Sequence, residues 1–244
     1  VSSFGGTSAA SGGLGLTLIR ASGERQTVHA EPRWPTIVPS LIDVHLHGLP
    51  QPGLPLEVNR WRRSNVKHLW RGARRVLLAR SMKLPTMYGQ LWLSVFRGDG
   101  EIVDLGLAGL RAVTTVGVKF ICDDLNNNGQ DVSTMKFHGF GTGGTAEGVG
   151  NTALTTELTT QYAVDNTRPT GSQASATVSN DATYTTVATL SPDSGGTIAI
   201  TEHGIFSASS AGTLLDRTLF SAVNLVAGSD SLQATYVFTQ VAGS

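Results

Sequence analysis

Beyond Pro85, most apolar residues of this chain recur at every second position in short runs separated by turn-forming residues, and no other feature constrains the fold as strongly. The clearest run is GQLWLSVFRGDGEIVDLGL. In it Leu91, Leu93 and Val95 alternate with Trp92, Ser94 and Phe96, stop at a turn, and resume at Ile102 and Val103. A two-residue period puts alternate side chains on opposite faces of a strand, and Asp99-Gly100 supplies favoured hairpin residues. Arg97-Gly98-Asp99 therefore reads as a turn rather than an adhesion triplet. Residues 174–190, 196–207 and 213–220 look like further strands, and SLQATYVFTQV places Leu232, Ala234, Tyr236 and Phe238 on one side of a last one. Many short strands with frequent turns predict a mainly β fold, an antiparallel sandwich or jelly-roll-like core over 85–244. One stretch breaks the pattern. LRAVTTVGVKFICDDL suits either a β-strand pair or a helix; the favoured helix is capped at Thr115, with Val118, Ile121, Cys122 and Leu125 on its apolar stripe and a stop at the following Asn-Asn-Asn-Gly.

The chain before Pro85 is of another kind. Residues 1–59 are rich in Gly, Ser and then Pro, which removes backbone donors and fixes φ, so an extended arm is expected there with Leu-Gly-Leu-Thr-Leu-Ile-Arg as its one candidate strand. Residues 60–84 form a basic amphipathic helix candidate. Val66, Leu69, Trp70, Ala73, Val76 and Leu77 make one stripe, while Arg62, Arg63, Lys67, Arg71, Arg74 and Arg75 mostly occupy the other faces. Gly72 weakens this helix, since an interior Gly costs about 1 kcal/mol relative to Ala.

A formal net charge of zero conceals a polarised chain. Residues 1–83 hold 12 Lys and Arg against 4 Asp and Glu, a difference of +8, and residues 84–244 hold 6 against 14, a difference of −8. Opposite charges on the two parts favour contact within a molecule or between copies, although exposed pairs contribute only about 0–1 kcal/mol each. Cys122, the one cysteine, cannot form an internal disulfide and is expected to be a buried apolar residue. No run of 18 apolar residues is present, so a membrane partner is not expected, and the N-terminal text lacks the basic and apolar regions of a secretory signal.

The chemical motifs are incomplete. GFGTGG, at Gly139 to Gly144, lacks the Lys-Ser/Thr of a phosphate loop and reads as a close backbone approach. Asp-Val-His-Leu-His puts His45 and His47 on one strand face, without a third metal ligand or a rigid platform. His138 and His203, with Asp123, Asp124, Glu202 or Ser207, contain the ingredients of a hydrolytic triad, but no nucleophile elbow accompanies them. DDLNNNGQD has oxygen donors without the EF-hand spacing. No catalytic residue, cofactor or metal ligand is assigned. The basic helix, with Trp61 and Trp70 among its arginines, is the interaction signal, suited to an acidic protein neighbour or to phosphates.

Several phrases recur in order as in a family of small tailed-bacteriophage virion proteins, which the last 130 or so residues resemble. His138, Gly139, Gly141, Thr142 and Gly143 match its HGxGTG loop. Asn151 stands where Asp is common, before Thr152, Ala153 and Leu154. Glu202, His203, Gly204 and Phe206 match an EHGxFSA phrase, and Gly212 to Arg217, with Asp216, match GTLLDR. The resemblance implies a non-enzymatic structural protein of the virion, assembled in the bacterial host cytoplasm. Its place would be head decoration or head-to-tail connector, contacting capsid, portal, neck or tail subunits, in several copies, with nonspecific contact to packaged DNA. The alternatives are a tail or fibre attachment protein and a carbohydrate-binding or carbohydrate-cleaving module. On this reading Gly204 makes a tight corner, and Asp216 and Arg217, adjacent in a strand, face opposite ways.

Overall fold

The computed structural model describes residues 16–19, 25–28, 47–82, 86–163, 165–178 and 181–241. The chain divides into two compact units, 1–37 and 38–244. In the first, β1 (Leu16–Ile19) and β2 (Arg25–Val28) form an antiparallel hairpin that pairs Leu16 with Val28 and Ile19 with Arg25. The rest of the expected arm up to residue 46 lies outside the described residues.

The second unit is mainly β, as the two-residue period predicts. After helix α1 (Leu56–Ser81) come β3 (Thr86–Phe96), β4 (Ile102–Ala112), helix α2 (Thr115–Leu125), β5 (Phe137–Gly141), β6 (Ser172–Val178), β7 (Asp181–Leu190), β8 (Thr197–Phe206), β9 (Leu214–Val226) and β10 (Ser231–Val241). They form two antiparallel sheets, β4-β3-β10-β7-β6 and β5-β8-β9. The β3–β4 hairpin closes at Arg97–Glu101, with Gly100 at φ +91°. Arg97 is tied 3.0 Å from Asp230 of the neighbouring β9–β10 turn, so the Arg-Gly-Asp triplet is a turn held by an ion pair.

Between the sheets lies the main apolar cluster. Leu91, Leu93 and Val95 of β3 and Leu232 and Ala234 of β10 meet Phe140 of β5, Ile198 and Ile200 of β8, and Phe220, Val223 and Leu225 of β9. Tyr236 and Phe238 continue the β10 row into a second cluster with Phe120, Met135, Ile205 and Leu215. Full burial of each such aliphatic or aromatic side chain is worth about 1.5–3 kcal/mol, so the alternation is the main energetic determinant of the fold.

Helix α1 closes one side of this arrangement. β4 and β9 are edge strands of their sheets, and an uncovered edge leaves backbone carbonyls and amides unpaired. Buried Asn65 joins both edges: its Nδ2 donates to the Ala108 carbonyl of β4 at 2.8 Å, and its Oδ1 accepts from Ser221 N of β9 at 2.9 Å. Trp61 Nε1 donates to the Ser221 carbonyl at 2.9 Å, and Arg62 Nε donates to the Leu105 carbonyl at 3.0 Å. Gly72 has a use that offsets its low helix propensity. A Cβ there would sit 1.6 Å from the Leu110 carbonyl oxygen, so only glycine lets the helix backbone approach β4 this closely.

These contacts correct the expected stripe. The inward face runs through Val58, Arg62, Asn65, Leu69, Ala73 and Val76, all buried, whereas Trp70 is 42 % exposed. A strand edge needs polar partners as well as apolar ones, so Arg62 and Asn65 turn inward and the helix is rotated away from the position that hydrophobicity alone selects. The boundaries change too. Residues 47–59, expected in the arm, belong to the same compact unit as the strands: Gly48 is buried, Leu54 packs on the core, and Leu49 O accepts from Arg62 at 3.2 Å.

Helix α2 is present, but Thr114 caps it, its side chain accepting from Gly117 N at 3.0 Å. Its packed face is Gly117, Phe120 and Ile121, because Gly117 rests against the backbone of Leu215. Val118 and Leu125 are exposed, as is Cys122, contrary to its expected burial. Gly204 is likewise no corner. It lies inside β8, paired with Gly139 and Arg217, where a Cβ would meet Leu214 at 2.8 Å.

Candidate functional site

The histidines and acids of the repeated phrases converge on the three-stranded sheet and divide into three buried networks. In the first, the Glu202 carboxylate on β8 accepts from Gly143 N at 3.1 Å, Thr155 N at 3.0 Å and Thr156 N at 2.7 Å, and pairs with Arg217 of β9 at 2.7 Å. Arg217 also donates to the Thr145 carbonyl at 3.0 Å and to Thr155 Oγ1 at 2.7 Å. Glycine is required at 141 and 143, where a Cβ would lie 2.6 and 2.4 Å from Glu202 Oε1. HGxGTG is thus the backbone bed of a carboxylate belonging to the protein itself, in keeping with the close-approach reading. Asn151 Oδ1 accepts from Gly148 N at 2.7 Å and from Arg217 at 3.3 Å, contacts that an Asp oxygen would accept equally.

In the second network, His138 Nδ1 of β5 and His203 Nε2 of β8 are hydrogen-bonded at 3.0 Å, and His138 Nε2 bonds Thr186 Oγ1 of β7 at 3.1 Å. The pair therefore joins the two sheets. Burial lowers the pKa of His138 to about 3; burial, then the His138 neighbour, holds His203 well below the ordinary imidazole value. Both rings are neutral at physiological pH.

In the third, Tyr236 of β10 donates across the sheets to Asp216 Oδ2 at 3.2 Å, and Thr218, two residues along β9, donates to Asp216 Oδ1 at 3.1 Å. Burial raises the Asp216 pKa to about 6 against the opposing pull of Arg111. Asp216 and Arg217 do face opposite ways, one toward β10 and the other toward the 143–156 loop.

The triad ingredients are distributed differently from a catalyst's. Among the described residues neither His138 nor His203 hydrogen-bonds a carboxylate, and Glu202 is held by Arg217 and three backbone amides. Ser207 Oγ accepts from Thr213 N at 2.9 Å within a turn. Asp123 pairs with Lys119 one helical turn away, and Asp131 caps a short 3-10 turn at Val132–Thr134. His47 is exposed, its ring centroid 5.4 Å from that of Trp92, while Asp43 and His45 fall outside the described residues. Among the described residues no group of three or more His, Cys, Asp or Glu has the arrangement of a metal centre.

The basic helix supplies the exposed chemistry. Arg60, Arg63, Lys67, Trp70, Arg71 and Arg74 all lie on the outer side of α1. Arg62, expected among the partner-binding residues, is instead buried and consumed by Leu49 and Leu105; of the Arg75 side chain nothing is described. No helix among the described residues is long and apolar enough to cross a membrane.

Two groups escape the sequence reading. Arg168 is pinned to Glu157 and to the Ala208 carbonyl, its guanidinium 3.5 Å from the Phe206 ring centroid. Arg111 of β4 donates to the His68 carbonyl at 2.8 Å and the Leu219 carbonyl at 3.2 Å and lies 2.7 Å from Glu147. Its signal was a lone Arg at the end of the apolar run IVDLGLAGLRAV, since a buried cation needs partners. Beside it opens a cleft of about 80 Å³, lined by Arg71, Arg111, Thr114, Glu147, Gly148 and Arg217 among others. No family model and no curated protein matches the chain.

Proposed function

We propose that the chain is a non-enzymatic structural protein of a tailed-phage virion, a head decoration or head-to-tail connector, that docks on neighbouring subunits through the outer face of α1. One observation carries the reading: Glu202, His203, Asp216 and Arg217 are buried and bonded inside the fold, whereas α1 presents Arg60, Arg63, Lys67, Trp70, Arg71 and Arg74 outward. Polar groups spent on joining two sheets, as His203 and Asp216 are, or on pinning the 143–156 loop, as Glu202 and Arg217 are, stiffen a scaffold and are withheld from a substrate. A basic row around a half-exposed Trp matches the composition of interface anchors, where aromatic and Arg residues dominate. The residues beyond position 83 carry the complementary excess, 14 acidic against 6 basic, so a second copy offers an acidic counterpart and a homo-oligomer follows naturally.

Particle incorporation of variants tests this. Trp70→Ala is expected to reduce incorporation at least as much as Arg63→Ala with Arg74→Ala, because docking combines an aromatic anchor with charge. Normal incorporation of Trp70→Ala, together with tight duplex binding lost in the arginine variant, would assign the face to packaged DNA. Antibody label on intact virions separates head and neck from tail; label confined to fibres refutes the decoration or connector role.

A further inference from the structure

We propose that the outer face of α2 is a contact between two copies of this chain, which pack their α2 helices antiparallel about a two-fold axis near Cys122. This surface is separate from the outer face of α1, and the inference does not rest on the virion reading. Helix α2 carries more apolar side chains than its packed face can bury. Gly117, Phe120 and Ile121 turn inward, yet Val118 is 41 % and Leu125 82 % exposed, and Cys122 is exposed between them. At about 100° per residue these three share one arc on successive turns. That is the stripe of an interface helix rather than a scatter of single surface residues. Val149, also exposed, adds to it at the N-terminal end, where its carbonyl accepts from Thr115 N at 2.8 Å. The Thr114 cap and the buried Phe120 hold the helix in place, so a partner meets a pre-formed surface.

Charge selects the partner and its direction. Lys119 and Asp123 stand one turn apart on one flank of the apolar arc, the cation toward the N-terminus, and pair with each other. An antiparallel crossing centred on Cys122 brings the same flank of each helix together. Lys119 of each copy then comes level with Asp123 of the other, and the two intrahelical pairs merge into one alternating row. A parallel crossing sets this flank against the opposite one and makes no such pairs. With Asp124 as well, α2 holds two acids against one base, which opposes docking on phosphates or on an anionic lipid surface. Two three-turn helices bury less than the roughly 1,200 Å² of a standard interface, so the dissociation constant is on the order of 0.1 mM. Below that concentration the Cys122 thiol stays accessible; where other contacts gather copies, the α2 pair adds to them through effective concentration.

Sedimentation equilibrium of the full chain, from about tenfold below to about tenfold above that constant, should show monomers in equilibrium with dimers. Leu125→Asp should weaken the association at least about tenfold, and so should Lys119→Glu, which sets like charges against each other. Lys119→Glu combined with Asp123→Lys should restore it to within about twofold, because the reversed row is again self-complementary. Leu125 and Lys119 are exposed, so an unchanged melting temperature verifies that the fold is kept. Trp70→Ala should leave the dimer intact, which separates this contact from docking through α1. Geometry is read by disulfide trapping. Mild oxidation should link Cys122 to Cys122 of the second copy; in a Cys122→Ser background, Val118→Cys and Leu125→Cys chains should cross-link when mixed and not alone. A chain that stays monomeric throughout, an association indifferent to Leu125→Asp or to Lys119→Glu, or cross-links at 118 and 125 within the unmixed variants overturns the proposal.

Discussion

The two cross-sheet networks titrate in opposite directions, and this sets an unusual acid response. In the folded protein His138 stays neutral down to about pH 3, and His203 is depressed in the same direction by burial. In the unfolded chain both imidazoles take up protons below about 6.5. The unfolded state thus binds more protons, and stability falls as pH drops below about 6.5, by about 1.4 kcal/mol per pH unit for His138 and in the same direction for His203. Asp216 acts the other way. Its folded pKa of about 6 lies above the unfolded value of roughly 3.9, so between those limits the folded state holds the extra proton and stability rises as pH falls. Between pH 6 and 4 Asp216 offsets His138, and the depressed His203 leaves a net loss of stability from these groups as pH falls.

Removing members of the networks separates their contributions. With His203→Gln the remaining imidazole and the carboxyl nearly cancel, so the slope from these groups should approach zero. With Asp216→Asn both imidazoles act unopposed and the slope should steepen by about 1.4 kcal/mol per unit. Asp131 and Asp165, lowered by their hydrogen bonds to Ser133 and Thr167, contribute the same acid loss to all three proteins and drop out of the comparison. Urea denaturation at half-unit pH steps, followed by far-ultraviolet dichroism and tryptophan fluorescence, gives the slopes. Identical slopes in wild type and His203→Gln would refute the assignment of neutral buried imidazoles, and a shallower slope in Asp216→Asn would refute a raised carboxyl.

Other substitutions test the wiring. Gly72→Ala should cost several kcal/mol and detach α1 from β4, since its Cβ would lie 1.6 Å from a backbone oxygen; an unchanged melting temperature contradicts the close approach. Asn65→Leu should cost about 2–4 kcal/mol by orphaning one group on each sheet edge, and hydrogen exchange at the Ser221 amide should accelerate. Glu202→Gln should destabilise by about 3–5 kcal/mol and expose 143–156 to proteolysis, whereas Asn151→Asp should be near neutral; protection of the loop in Glu202→Gln would show that the carboxylate does not hold it. Cys122 should react with a maleimide in the native protein at the rate of an exposed thiol, and protection would restore the buried reading.

What the sequence revealed follows from which interactions leave a local trace. Strands β3, β4 and β10 were legible because their inward residues alternate and the core is apolar enough for alternation to determine the side that is buried. Helix α1 was legible as a helix but not in its rotation. Hydrophobicity selects Trp70 for the interior, yet the surface that α1 meets is a pair of strand edges whose carbonyls are met by Arg62 and Asn65. Nothing within the helix marks those residues as inward, because the groups they satisfy lie 43 positions away for both and 156 for the second bond of Asn65.

The same argument accounts for the polar phrases of β5, β8 and β9. A three-stranded sheet covering a five-stranded one must fix its register against slippage, and its buried apolar face already opposes a one-residue slip, which would turn every inward side chain out. Hydrogen bonds across the gap add to this, since a slip by one residue would turn His138 or Asp216 to the other face and orphan Thr186 or Tyr236. Glu202 and Arg217 do the equivalent on the outer face, where a slip would also abandon three backbone amides. Histidine, acid and arginine at a two-residue alternation, with glycines opposite, therefore specify one register of β5, β8 and β9. Those residue types resemble a reactive centre in composition while their partners make them a lock.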